Sequence, residues 1–166
     1  MASYEELVRR HQTVALRAAA LIAGPDGPDA VREAFVKAYA ALGRFRADAP
    51  FRPWLLRIVA NEARNARRAA GRRGSLAVRL ATERGPGDAA PSPEATLLSD
   101  EDKQELYGAL LRLSERDRLV LGYRFLLGLS QRETAEALEI RPGTVKSRTA
   151  RGLGRLRALL AEEASS

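Results

Sequence analysis

Residues 130–160 carry a pattern that predicts two consecutive helices with a break between them. Ser130 and Glu133 have the spacing of a capping box, in which each side chain bonds a backbone N–H at the start of a helix. Pro142 and Gly143 then interrupt the helical pattern. In the second helix, mostly apolar residues recur at steps of three and four and so share one face: Val145, Thr149, Leu153, Leu156 and Leu160. This arrangement is typical of a helix-turn-helix.

The opposite face of the second helix is polar and basic. It carries Lys146, Ser147, Arg148, Arg151 and Arg155. A helix with an apolar inner face and an outer face of Lys, Ser and Arg can lie in the major groove of DNA, where Arg and Lys bind phosphates or guanine edges. The pattern alone leaves open an ordinary surface helix with solvated charges.

Composition limits the classes of function. The chain has 28 Lys and Arg against 21 Asp and Glu, an excess that suits a polyanionic partner. It has no cysteine and a single histidine, His11, which excludes a thiolate metal site and a His-based metal or catalytic cluster within one chain. We predict no metal, no cofactor and no catalytic residue. No apolar run approaches the roughly 20 residues needed to cross a bilayer. The N-terminus lacks the pattern of a signal peptide, so we expect a cytoplasmic protein without membrane insertion.

The distribution of charge, glycine and proline predicts two domains. Residues 1–74 carry twice as many basic as acidic side chains, whereas residues 75–100 carry more acidic than basic ones. Residues 85–93 are too rich in Gly and Pro to continue a helix. We therefore predict an all-α protein with two small helical domains, 1–74 and 101–166, joined by a flexible linker at 75–100.

Three helices are predicted in the N-terminal domain. The first runs from about Ser3 to Ala23 and the second from about Asp29 to Leu42, both by apolar spacing. The third begins near Pro53, since proline suits a first helical position where its missing N–H is not needed. This third helix is strongly basic along its later turns.

The loop before the third helix, residues 43–52, combines two aromatic residues with three arginines. Aromatic rings and guanidinium planes stack on unpaired bases, so Phe45 and Phe51 predict a single-strand site. Asn61 and Asn65 follow on the helix, and Asn can read a base edge with a donor and an acceptor. The alternative is that both phenylalanines fill the core and the arginines are solvated.

In this order, the segments resemble the extracytoplasmic-function group of bacterial sigma factors, the smallest members of the sigma-70 family. Residues 29–39 resemble that family's core-polymerase-binding helix, and residues 45–61 are similar to its promoter-opening loop and helix. Residues 113–148 are similar to its C-terminal helix-turn-helix. The resemblance covers nearly the whole chain except the linker, and it implies a region 2-like domain at 1–74 and a region 4-like domain at 101–166.

The resemblance also implies a function, promoter-specific initiation of transcription, and its partners. These are core RNA polymerase, promoter DNA as duplex and as single strand, and an anti-sigma factor. Carried over position by position, it implies contacts to core polymerase at Asp29, Glu33 and Phe35. It implies contacts to the −10 element at Phe45, Arg46, Phe51, Asn61 and Asn65. It implies contacts to the −35 element at Thr144, Lys146, Ser147, Arg148 and Arg151.

Three other functions remain as alternatives. A stand-alone helix-turn-helix regulator would leave the basic helix and aromatic loop of residues 43–73 unexplained. An enzyme would need paired carboxylates, which do not occur convincingly outside helix surfaces. An inhibitory sigma mimic would have the same fold, but the intact recognition helix argues against it.

Overall fold

The computed structural model describes residues 3–73 and 99–165, and nearly all of the predicted linker lies outside these ranges. The described residues form helices and connecting turns with no strand among them, which confirms the all-α prediction. The chain divides into two compact units.

Three helices form the N-terminal unit. They are α1 (Tyr4–Ala23), α2 (Gly27–Ala41) and α3 (Phe51–Arg73). Short 3₁₀ turns, Gly24–Asp26 and Leu42–Arg44, follow α1 and α2. Both α2 and α3 begin two residues before the predicted starts, with Pro28 and Pro53 in their first turns, where backbone N–H groups have no helical partner in any case.

Small residues let the three helices pack closely. Ala15, Ala18 and Ala19 of α1 and Ala34 and Ala38 of α2 are completely buried. The larger core side chains come mainly from α3, including Leu55, Leu56 and Val59. Each helix contacts the other two, so the unit is a three-helix bundle.

Two polar contacts tie α2 to its neighbours. The Lys37 ammonium donates to the carboxylate of Glu62 on α3, and Glu62 is nearly buried. This hydrogen bond raises the pKa of Lys37. The Tyr4 hydroxyl of α1 donates to the backbone carbonyl of Phe35. Since a buried carboxylate is costly without a partner, Lys37 makes the burial of Glu62 tolerable.

The C-terminal part of the chain contains four helices within the described range. They are α4 (Asp100–Arg112), α5 (Glu115–Leu121), α6 (Gln131–Leu138) and α7 (Pro142–Ala164). A π-helical segment, Gly122–Leu126, continues α5. One cluster of its buried apolar side chains consists of Ala109, Leu110, Leu113, Leu121 and Leu156.

Gly152 lets α7 approach α5 closely. A Cβ atom at this position would lie 3.2 Å from Cδ1 of Leu121, tighter than ordinary packing. The side chain of Leu121 is 2% exposed, so this contact belongs to the interior of the unit. Arg112 of α4 forms ion pairs with Glu162 and Glu163, each at 3.5 Å, near the far end of α7.

The predicted capping box at the start of α6 is confirmed. Ser130 Oγ accepts from the backbone N–H of Glu133 at 3.1 Å, and Glu133 Oε1 accepts from the backbone N–H of Ser130 at 3.0 Å. The break after α6 differs from the prediction, because Pro142 and Gly143 belong to the first turn of α7. The chain turns instead at Glu139, whose φ of 56° is left-handed.

Within the described residues, no helix combines the length and the apolar character that a membrane span needs.

Candidate nucleic-acid interface

Helix α7 presents the predicted polar face to solvent. Lys146, Ser147 and Arg151 are exposed, and Thr144 and Arg148 are half-buried. Their exposure follows from the opposite face, where Val145 and Leu156 are buried and Leu153 and Leu160 pack against the core. The amphipathic pattern of this helix was therefore predicted correctly, while the base or phosphate that each side chain contacts stays a prediction.

Arg155 is an exception on the polar face. Its guanidinium is bonded to the carboxylate of Asp117 on α5, and Asp117 is 4% exposed. Helical periodicity puts Arg155 on the polar face of α7, and the structure shows its guanidinium paired with a carboxylate within the same unit. Arg155 lies one turn beyond Arg151 and reaches a buried carboxylate, so it holds α7 against α5.

A hydrogen bond across the turn fixes the start of α7 relative to α6. Gln131 Nε2 donates to the backbone carbonyl of Pro142 at 3.1 Å. Gln131 is the first residue of α6, and Pro142 is the first residue of α7. Together with the buried Thr134 and Ala135 of α6, this bond orients the N-terminal turn of α7, which carries Thr144 and Lys146.

The two loop phenylalanines belong to an aromatic cluster, which we define as His11, Phe45, Phe51 and Trp54. The ring of Phe45 lies 4.9 Å from Trp54 and 5.6 Å from Phe51, centre to centre. Phe51 lies 5.5 Å from Trp54 and 5.1 Å from His11. Phe45, Phe51 and Trp54 are each half-buried. The rings of Phe45, Phe51 and Trp54 therefore pack against each other, which agrees in part with the alternative that the two phenylalanines fill the core. Each of these three rings also keeps part of its surface exposed.

His11 is the member of the aromatic cluster that sequence reasoning did not assign to a site. It lies on α1 and is 8% exposed, and its Nδ1 has no hydrogen-bond partner. Burial lowers its pKa below the usual 6.5, and the nearby charges of Arg52 and Arg10 lower it further. No local signal marks this position, since the contact with Phe51 joins residues far apart in the chain.

The other residues predicted to contact the −10 element are exposed. Arg46 lies in the loop, where its guanidinium is 4.0 Å from the carboxylate of Asp48. Asn61 and Asn65 lie one turn apart on the exposed side of α3. Asn65 Oδ1 accepts from Arg68 Nη2 at 3.3 Å. The structure thus brings two amides and a guanidinium together on α3.

The three residues of α2 that were predicted to bind core polymerase differ in their exposure. Asp29 and Glu33 are exposed, but Phe35 is 8% exposed and packs in the core. The Phe35 side chain shares the inward face of α2 with Val31 and Ala38. Its contact with core polymerase stays a prediction.

Two exposed apolar residues on α2 were not among the site residues predicted from the sequence. The side chains of Val36 and Tyr39 are 63% and 64% exposed. Helical geometry puts Val36 about 20° from Asp29 around the helix axis, on the side away from Glu33. The periodicity that buries Phe35 could have identified Val36, which lies opposite the inward residues, but not Tyr39, which follows Phe35 by four residues.

A third exposed apolar residue lies in the π-helical segment of the C-terminal unit. Phe125 is 51% exposed, and the guanidinium carbon of Arg124 lies 5.7 Å from the centre of its ring. Arg124 also donates to the backbone carbonyl of Leu129 at 2.9 Å. Single-turn π-helical segments occur often at functional positions, and the sequence pattern gave no indication of this one.

Comparison with known proteins identifies the class of these two units. Residues 4–73 match the family model of sigma-70 region 2, and residues 103–156 match that of sigma-70 region 4. The chain is 37% identical over 148 residues to the ECF RNA polymerase sigma-E factor of Escherichia coli strain K12, covering 86% of this chain and 78% of that protein.

Two solved structures are also similar. CnrH, solved in complex with the cytosolic domain of CnrY, has a TM-score of 0.66 at 31% identity, covering 98% of this chain and 89% of that one. The sigma factor RpoE of Bartonella quintana, solved in complex with the anti-sigma factor NepR, has a TM-score of 0.69 at 25% identity, covering 95% and 98%.

The chain belongs to the extracytoplasmic-function sigma factors of the sigma-70 family. The predicted function, an RNA polymerase sigma factor, is confirmed. A stand-alone helix-turn-helix regulator is not favoured, because the match to region 2 accounts for the N-terminal helices that such a regulator would leave unexplained.

Proposed function

We propose that the two units bind different parts of the transcription machinery. Residues 1–74 bind core polymerase and open the −10 element, and residues 101–166 read the −35 element as duplex. The observation that carries this division is the pair of separate polar surfaces, one on α3 and its preceding loop and the other on α7. With the units joined in one chain, binding of the first raises the effective concentration of the second.

The −35 contact is made by the exposed face of α7. Lys146, Ser147 and Arg151 are directed away from the core, and Thr144 and Arg148 flank them. Their side chains can reach phosphates and base edges in a major groove. The Gln131–Pro142 hydrogen bond and the Arg155–Asp117 pair support this surface by holding α7 in place.

The −10 element is captured as a single strand by the aromatic cluster and the loop beside it. Phe45 and Phe51 offer partly exposed ring faces, and Arg46 adds a cation in the same loop. Stacking of a base on an aromatic ring contributes about 1–3 kcal/mol. Asn61 and Asn65 bind the adjoining strand along α3, where their amides can pair with base edges.

Core polymerase binds the exposed side of α2. Asp29 and Glu33 supply negative charge there, and Val36 and Tyr39 supply apolar area next to them. Mixed apolar and charged surface is typical of protein interfaces. Phe35 contributes by packing beneath this surface and so keeping the helix in place.

An anti-sigma factor is a further proposed partner. RpoE of Bartonella quintana was solved with the anti-sigma factor NepR, and this chain is similar to it over nearly its full length. We also propose that the chain acts in the cytoplasm, where core polymerase and promoter DNA are found, and that it has no enzymatic activity, metal or cofactor of its own. The catalytic chemistry of transcription then belongs to the polymerase.

Run-off transcription on a promoter library with purified core polymerase, with and without this chain, tests the proposal. We expect transcripts that depend on the chain and start downstream of a shared pair of sequence elements. A chain that binds duplex DNA without polymerase and adds no transcripts would instead be a stand-alone regulator.

The proposed strand contact has a separate test. Asn61→Ala should lower open-complex formation, and a pre-melted template should rescue it only in part if Asn61 contacts bases. Gln104→Ala, an exposed amide on α4, is the matched control and should leave both templates unaffected. If Asn61→Ala behaved as the control does on both templates, Asn61 would not belong to the site.

A further inference from the structure

His11 is buried against the aromatic rings that are proposed to capture the unpaired strand. Its ring centre lies 5.1 Å from that of Phe51, at an interplanar angle of 46°. Phe51 in turn contacts Phe45 and Trp54, so His11 supports one ring that touches both others. Its Nδ1 is buried without a hydrogen-bond partner.

The charges that act on His11 all disfavour its protonated form. Arg10 precedes it on α1, and Arg52 lies in the first turn of α3, directly after Phe51. The other members of the aromatic cluster, Phe45, Phe51 and Trp54, carry no charge. An added proton would therefore place a third positive charge among two cations, away from water, and these effects lower the pKa of His11.

We propose that neutral His11 is a positioning residue for strand capture, and that its protonation opens the aromatic cluster and moves Phe51 and Phe45 out of their capturing arrangement. The proposal rests on the proposed role of the loop and the aromatic cluster in binding the −10 strand. It goes further in assigning a role on α1, outside that loop, and in making strand capture sensitive to acid.

The expected size of the effect follows from the fraction of neutral His11. If only the neutral form captures the strand, the apparent dissociation constant rises in proportion as that fraction falls. One pH unit below the titration midpoint of His11, about one tenth of the molecules are competent, so affinity should fall about tenfold. The affinity should approach a constant value as the pH rises past the titration midpoint of His11, because burial and the charges of Arg52 and Arg10 lower the pKa of His11.

The composition of the chain makes the first test direct, since it has one histidine and one tryptophan. NMR of the His11 ring protons in the full-length chain gives the midpoint of its titration, and Trp54 fluorescence reports the state of the aromatic cluster. We expect both signals to change together, with a midpoint below 6.5. A midpoint at 6.5, or a Trp54 signal that does not follow His11, would overturn the proposal without any variant.

The second test measures strand capture by holoenzyme assembled from core polymerase and the full-length chain. The probe is a labelled pool of short single-stranded DNA of randomised sequence, titrated between pH 5 and 8. His11→Gln should remove the pH dependence of the affinity that comes from His11. Any pH dependence that comes from the polymerase or from the N-terminal amine should remain.

A matched control moves the histidine without changing the composition. The double variant His11→Gln/Gln12→His carries its one histidine at an exposed position on the same helix, and it should bind the strand as His11→Gln does. Acid sensitivity in the double variant equal to that of the wild type would overturn the positional role. If wild-type holoenzyme did not capture the strand at any pH, the proposed function of the loop would fail. Normal capture that did not depend on His11 would reject the present inference alone.

Discussion

Arg155 and Arg151 lie one turn apart on α7, and we predict opposite consequences for replacing each by alanine. Arg155→Ala removes the partner of Asp117, whose side chain is nearly buried. Breaking a fully buried ion pair costs about 3–5 kcal/mol. Arg155 is itself largely exposed, and Asp117 lies in the first turn of α5, where the helix dipole favours a carboxylate by about 0.3–1 kcal/mol. We therefore expect a loss of about 1–2 kcal/mol in the free energy of unfolding.

Arg151→Ala should instead leave stability within about 0.5 kcal/mol of the wild type, because its side chain is exposed. It should weaken binding of holoenzyme to promoters by about 1–3 kcal/mol if it reads a base edge, and unequally across promoters. If it contacts only phosphate, the loss should be similar on every promoter.

Urea unfolding of the full-length chain, followed by circular dichroism, and promoter binding by holoenzyme separate the two roles. A double-mutant cycle with Asp117→Asn should give a coupling energy between Asp117 and Arg155, since residues that share a contact are not additive. Unchanged stability of Arg155→Ala, together with a promoter-dependent binding defect, would return Arg155 to the DNA-facing surface and refute the structural role.

Three further predictions concern polymerase binding, core packing and the pH dependence of stability. Glu33→Arg reverses a charge at the proposed polymerase surface and should weaken association with core enzyme by about 1–3 kcal/mol without destabilising the chain; equal affinity in a titration would remove α2 from that interface. Leu121→Ala should lower the free energy of unfolding by about 2–5 kcal/mol in urea, as a nearly buried core leucine does. Because the pKa of His11 is lower in the folded chain, stability should be full above pH 6.5 and fall as the pH drops below it, and this slope should be absent in His11→Gln.

Local sequence signals predicted the parts of the fold that depend on neighbours in the chain. The capping box at Ser130 and Glu133 needs only two residues three apart, and both of its hydrogen bonds are present. The inner face of α7 follows from helical periodicity, and Val145 and Leu156 are buried as that periodicity requires. Helix boundaries were less accurate, because a proline can occupy any position of the first turn and so does not fix the starting residue.

The predicted contact of Phe35 with core polymerase has a different origin. It was carried over from a family resemblance, although Val31, Phe35 and Ala38 recur at helical spacing and all are buried. The same spacing puts Val36 outside, where it is exposed. Tyr39 follows Phe35 by four residues, so helical spacing alone does not predict its exposure. Periodicity within this chain therefore identifies Phe35 as inward and Val36 as outward on α2, but it does not identify Tyr39 as exposed.

The roles of Arg151 and Arg155 could not be separated by periodicity. Four residues turn an α-helix by about 40° beyond one full turn, so both side chains belong to one face in any pattern that uses helical spacing alone. What distinguishes them is Asp117, which is 38 positions away from Arg155 in the chain and is buried by the packing of α5. The position of His11 against Phe51 is likewise a product of tertiary packing between α1 and α3. The role of such a basic or aromatic side chain thus depends on a partner that is distant in the sequence, and local patterns cannot predict that partner. A test by substitution must therefore replace the partner as well as the side chain itself.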